Sequence, residues 1–162
     1  MANVNTIRGF REVMMKINAG LALIKGGTAG GLIKAAAFVR KDMETTSPLT
    51  PVDLGNLKAS FFAVTAKKIA HGSGIARFNG PKAGQMVSEH LAVTAEMKMR
   101  AGKDKSKITL ILGYTANYAL FVHENLKARK WSKPGSGPKW FEYAMKRNTK
   151  KIIRIVADNA KI

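Results

Sequence analysis

The chain has 162 residues, no Cys, and 28 Lys and Arg against 10 Asp and Glu, a formal charge of +18. That length can bury a core without staples, and the missing Cys excludes disulfide frameworks, Cys-based zinc sites and thiol nucleophiles. An apolar share of 46% excludes wholesale disorder. No uninterrupted apolar run approaches the ~18–20 residues of a membrane span, and Met1 to Arg11 holds no apolar signal-peptide core. The charge points to an acidic partner: nucleic acid, an acidic protein surface or, as the lesser alternative, a lipid face. It is uneven: residues 1–56 hold 7 basic and 4 acidic side chains, 57–126 hold 10 and 4, and 127–162 hold 11 and 2. The last third is therefore either a solvated basic face or a contact surface.

Apolar residues at Ile7, Phe10, Val13, Met14, Ile17, Leu21 and Ile24 recur at helical spacing, with Asn5 or Thr6 as cap. Gly26 and Gly27 are expected to end this helix, and Thr28 to cap a second one that buries Leu32, Ala36, Val39 and Met43 and stops before Pro48. The segment 48–56, PLTPVDLGN, is a rigid turn in which Asp53 can accept a hydrogen bond from the Gly55 or Asn56 N–H. A strand is expected from Leu57 to about Lys67, apolar on both faces. Residues 70–89 read as a glycine-rich mobile loop. Leu91, Val93, Ala95, Met97 and Met99 alternate with polar residues, which predicts a strand. With Ile108, Leu110 and Leu112 it would form a hairpin over 90–113. A short helix over Asn117–Asn125 would put Tyr118, Phe121 and Val122 on one face. Pro138 suits the first turn of a last helix, whose stripe is Phe141, Ala144, Met145, Asn148, Ile152, Ile155, Val156 and Asn159. The expected class is α+β in one domain: helices over 1–47, a small antiparallel sheet with a long hairpin over 57–113, and a helical part over 117–162 packed on the sheet.

Chemistry finds little to work with. His71, His90 and His123 lie in three segments without metal-ligand spacing. His123 and Glu124 are adjacent, and adjacent helical residues do not face each other. The carboxylates do not cluster as a two-metal site requires, and no nucleophile elbow or phosphate-binding glycine loop occurs. A non-enzymatic role without cofactor or metal is the expectation. Two patches remain. The loop KARKWSK places Lys127, Arg129, Lys130 and Lys133 around Trp131, which could stack a base, anchor a protein partner or pack on its own domain. The other is Trp140 and Phe141 at the start of the final helix, an aromatic pair of the kind that most often anchors a core, and that helix also adds Lys146, Arg147, Lys150, Lys151 and Arg154.

Three segments resemble one family. TPVDLGNLKASF at 50–61 is similar to an aP-x-D-T-G-x-L-x-x-S motif, GYTANYALFVHEN at 113–125 to a VG…YA-x-YVHE motif, and GPKWFEYAMKRNTKKI at 137–152 to a closing G-x-x-K-F-L-E-x-A helix. These motifs, in this order, are those of the minor capsid and tail-completion proteins of tailed bacteriophages. Leu54 stands where that family usually has Thr, and Trp140 and Phe141 replace its Phe-Leu. The resemblance implies a structural virion protein of the neck or tail end, assembled in the host cytoplasm as a ring, commonly six-fold, between head-connector and tail proteins. It implies architectural roles for Pro51, Asp53, Gly55, Leu57, Tyr118, Ala119, His123, Glu124, Pro138 and Phe141. The basic end would then meet an acidic surface on an adjacent ring, with packaged DNA as the other acidic partner and no membrane contact. The rival reading is a basic nucleic-acid-binding protein, and an accessory capsid protein is a third.

Overall fold

The helix that glycine was expected to break runs straight through its glycines. The computed structural model, which describes residues 10–71, 76–127 and 130–160, has one helix, α1, over Phe10–Thr45. The expected cap at Asn5 or Thr6 lies outside the described residues. Gly26, Gly27, Gly30 and Gly31 sit inside α1, and Thr28 donates its hydroxyl to the Ile24 carbonyl, 2.8 Å away, rather than capping a new helix. The reason is tertiary. The last helix, α5 (Trp140–Ala160), lies along α1 so closely that a Cβ on Gly27 would stand 2.2 Å from the Asn159 carbonyl oxygen. One on Gly31 would stand 2.9 Å from Val156 Cα. Glycine here serves close approach rather than termination.

The continuous helix also makes Met15–Thr45 long and apolar enough, by length and composition, to cross a membrane, which the search for uninterrupted apolar runs missed. In this fold its second half is core: Ala35, Ala36, Val39 and Met43 are buried.

After α1 a single turn, α2 (Asn56–Ala59), occupies the start of the expected strand. The strand itself, β1, is Phe61–Thr65 and is buried at every position. It is the centre of a three-stranded antiparallel sheet in the order β2-β1-β3, with β2 at Ile69–His71 and β3 at Leu110–Tyr114. A central strand covered on both faces explains its double apolar pattern. Side chains alternate across a strand. Phe61 and Ala63 join Ala36, Val39, Met43, Leu57, Trp140 and Ala144 in one core cluster, while Phe62 and Val64 are buried toward the other face.

That other face is covered by α3 (Ala83–Ala101), which corrects the expected strand and hairpin. The alternating apolar residues misled: Leu91 and Met99 are exposed, at 45% and 69%. The buried stripe is His90, Thr94 and Ala101, at helical spacing but largely polar. Thr94 returns its hydroxyl to the His90 carbonyl, and His90 Nδ1 meets Thr115 Oγ1 at 2.8 Å. The strand β3 pairs instead with β1, from Phe61↔Tyr114 to Thr65↔Leu110. The segment read as a mobile loop over 70–89 thus contains part of β2 and the first turns of α3, and residues 72–75 lie outside the described residues.

A short helix, α4, covers Ala119–Glu124. Its apolar face was misassigned: Ala119 is buried, while Phe121 is 62% exposed. The stripe of α5 is the one its spacing predicts, from Phe141 and Ala144 to Val156 and Asn159. Its first turn packs on the sheet through Trp140, and the rest lies along α1. Arg147 ties the two helices. Its guanidinium binds Asp42 (Nε to Oδ2, 2.8 Å) and donates to the carbonyls of Thr46 and Ser47, 2.9 and 2.8 Å away. Those carbonyls follow the end of α1, where helical partners run out. The fold is α+β, with the N- and C-terminal helices packing on the small sheet.

The glycines of the seam separate two effects. Gly30 faces open space, so Gly30→Ala removes backbone entropy from the unfolded chain and stabilises by about 0.5–1 kcal/mol. Gly27→Ala meets α5 backbone and destabilises, on the order of 1–3 kcal/mol. Urea melts of the two variants should move in opposite directions.

Candidate protein-contact surface

The corner at 48–57 is held by backbone and by asparagine. Thr50 N–H donates to the Met43 carbonyl (2.9 Å) and Leu49 N–H to Gly135 (2.8 Å), so the corner is fastened to α1 and to the loop before α5. Pro51 and Leu57 are buried. Gly55 has φ 83°, a left-handed conformation that disfavours any side chain. Asp53 does not make the expected bond to Gly55 or Asn56; it is exposed. Asn56 does the work. Its amide donates to the Asn79 carbonyl (2.9 Å), its oxygen accepts from the Asn79 N–H (2.7 Å), and the Asn79 amide donates to Leu54 O (2.8 Å). Two asparagines 23 residues apart thus clasp the corner shut.

Beside the corner, Tyr118 is 39% exposed and precedes α4, with Ala119 buried behind it. Burial first, and the Asp53 carboxylate second, push the Tyr118 phenol up. At the far end of α4, His123 Nδ1 and Glu124 Oε1 stand 2.7 Å apart, contrary to the rule for helical neighbours. Glu124 is the last residue of α4 and the chain turns extended at Asn125, so the helical geometry that separates neighbours ends there. Glu124 also pairs with Lys139, which bridges on to Glu142 at 3.3 Å. The bonds from Lys139, then from His123, hold the Glu124 carboxyl below its usual range. Pro138 lies outside α5, which starts two residues later; between them Lys139 has φ 58° and donates its N–H to the His123 carbonyl, 2.9 Å away. His123 packs edge-on against Trp140, centroids 4.9 Å apart, and Phe141 against Tyr114 at 6.4 Å.

The fold brings the motifs together. Residues 51–57, Tyr118, Val122, Lys130 and Trp131 line one open groove of about 560 Å³. Trp131 is half-buried there beside Lys130, and Lys127, Lys130 and Lys133 are all exposed. Arg129 lies outside the described residues. The cations of α5 do not join this groove, and most have partners within the chain: Lys146 binds Glu142 (2.6 Å), Arg147 binds Asp42, Lys151 lies 4.4 Å over the Phe38 ring, and Arg154 approaches Asp158 at 3.8 Å. Lys150 is exposed. Among the described residues no group of three or more His, Asp or Glu could hold a metal ion.

Sequence reasoning missed Tyr114 and Asn79, named Asn56 only as a backbone donor, and weighed His90 only as a metal ligand. Tyr114 OH accepts from Trp140 Nε1 (3.1 Å) and lies 3.4 Å from both Thr50 Oγ1 and Met43 Sδ. The two asparagines carry an available signal, since Asx residues beside glycines commonly bind local backbone; their mutual pairing carries none.

Asn56→Ala should leave the Asn79 backbone N–H and carbonyl without these partners and cost about 1–3 kcal/mol. Gly55→Val forces a branched side chain to positive φ and costs about 1–3 kcal/mol. Asp53→Ala, at an exposed position without a bond, should stay within ~0.5 kcal/mol of the parent in thermal melts.

No protein-family model matches the chain, and neither the curated proteins nor the solved structures contain a match to it.

Proposed function

We propose that the chain is a non-enzymatic structural subunit of a ring at the neck or tail end of a tailed bacteriophage virion, joining head-side and tail-side proteins. The three motif resemblances suggest the role, and the observation that carries it is the first half of α1, which lies alongside no other helix among the described residues. The end of α5 lies against Gly27, so α1 before that point extends past its partner helix. On this outgrowth Met15, Ile17, Leu21 and Leu23 are 49–63% exposed and Ile24 is 40% exposed. Large apolar side chains gathered on one protruding element mark an association surface. In a ring each protruding helix has a neighbouring subunit to lie on, a head-to-tail contact that closes when the rotation does.

The groove of Trp131 and the corner supplies a second surface of a different kind. A half-buried tryptophan rimmed by exposed lysines suits an acidic protein surface, with the ring as anchor and the lysines as the rim. This is the contact to an adjacent layer in the proposed assembly.

The test is the size of the particle. Native mass measurement and electron microscopy of the full chain at increasing concentration should show closed rings, and added salt should favour them by screening the repulsion between +18 subunits. Leu21→Glu with Leu23→Glu should abolish the rings without lowering the melting temperature of the monomer, since both side chains are already exposed. A chain that stays monomeric at every concentration and salt, or rings indifferent to the double substitution, overturns the proposal.

A further inference from the structure

Exposed positive charge also gathers on segments other than α5. It lies at the root of the α1 outgrowth, where three segments converge. The turn between β1 and β2 brings Lys67 and Lys68, the turn between α3 and β3 brings Lys103, Lys105 and Lys107, and α1 brings Lys25, all exposed. Lys25, Lys67, Lys105 and Lys107 line one groove of about 350 Å³ whose floor includes Gly26, Ala29, Ala66, Ala101 and Gly102. The carboxylate in that groove, Asp104, is engaged by its own turn. It accepts the Ser106 N–H (2.9 Å) and hydroxyl, and Lys107 Nζ lies 3.5 Å from its other oxygen. Four lysines therefore line the groove with one acid, and Lys68 and Lys103 are exposed on the same two turns, so the cations come from three parts of the chain.

From this placement we infer that the lysine cluster at the root of α1 binds the phosphate backbone of double-stranded nucleic acid without sequence preference. Three observations favour a duplex over an acidic protein or a single strand. The lining cations are all lysine, which acts as a hydrated point charge, whereas carboxylate recognition favours the planar fork of arginine. Lysine is depleted at protein interfaces, and the aromatic or arginine anchor that such interfaces use is missing from this groove's lining. No aromatic side chain lines the groove, so bases have nothing to stack on. What remains is a low floor of small residues between ammonium groups, suited to an evenly charged rod. Such contacts are held by counterion release and weaken steeply with salt. The inference does not depend on ring formation; a monomer would bind in the same way, and the two respond to salt in opposite directions.

The experiment uses the full chain and a 30-base-pair duplex of random sequence, followed by fluorescence anisotropy between roughly 50 and 300 mM salt. The parent should bind at the low end and release at the high end. Lys67→Gln, Lys103→Gln and Lys105→Gln together should weaken binding at least about tenfold and flatten the slope of log affinity against log salt by about 3, one unit per lost phosphate contact. Lys16→Gln, Arg77→Gln and Lys82→Gln, exposed elsewhere, remove the same charge and should change affinity less than about twofold. Acetylation mapping of the parent is the second measurement: bound duplex should shield Lys67, Lys68, Lys103 and Lys105 and leave Lys16 and Lys82 reactive. The inference is overturned by absent binding at low salt, by equal loss in both triple variants, by uniform shielding, or by polyglutamate displacing the duplex at equal charge.

Discussion

The hydroxyl of Tyr114 sits where four parts of the chain meet. It accepts from the Trp140 indole of α5, lies within 3.4 Å of Thr50 in the corner and of the Met43 sulfur of α1, and its ring packs edge-on against Phe61 of β1. A polar atom in an apolar cluster must find partners, and the directions of those partners are narrow. The corner, the first turn of α5 and the end of α1 are therefore positioned by one atom. The tyrosine belongs to β3, so the sheet is the reference to which the helices are registered. Burial pushes its phenol up, which keeps the proton that the surrounding bonds use.

The same economy governs charge. A chain of +18 would be expected to hold its cations at arm's length, yet several are structural. Arg147 closes the end of α1, Lys139 joins α4 to α5 through Glu124 and Glu142, and Lys58 meets Glu44 at 3.0 Å. Of the nine acids whose side chains are described, Asp42, Glu44, Glu124 and Glu142 are spent on such ties, and the exposed lysines gather where Asp104 is held by its own turn. The basic surface is in this sense a residue of how the fold uses its acids. It lies where the end of α5 meets α1 at Gly27, although α5 itself carries many of the cations of the C-terminal third.

The class of fold was legible, and so was the face of α5, because its apolar residues keep helical spacing over five turns. Gly55 was legible too, since few residues tolerate the turn it makes. The errors have separate physical causes. Gly27 was read for its local freedom, but its role depends on Asn159, which is distant in sequence. The residues from Leu91 to Met99 alternate in hydrophobicity, but burial there follows His90 and Thr94, whose polarity hides the helical stripe. Asp53 and Asn56 are interchangeable in any turn rule; what decides between them is Asn79, which can pair reciprocally with an amide and not with a carboxylate. The site was legible in its parts, the corner and Trp131, but not in their meeting across one groove.

One consequence of the α1–α5 seam is mechanical. Among the described residues α5 clamps the helix as far as Gly27 and not beyond it, which leaves about 17 residues outside the clamp, a rod of roughly 25 Å at 1.5 Å per residue. Four glycines lie at or just inside the fulcrum, so side chains stiffen it least where bending has the most leverage. A tilt of about 10° there carries the tip some 4 Å on a rod of that length. In the proposed ring, the body would thus keep a fixed seat while its arm reached a neighbour at a slightly different distance, with the lysines at the fulcrum staying in place.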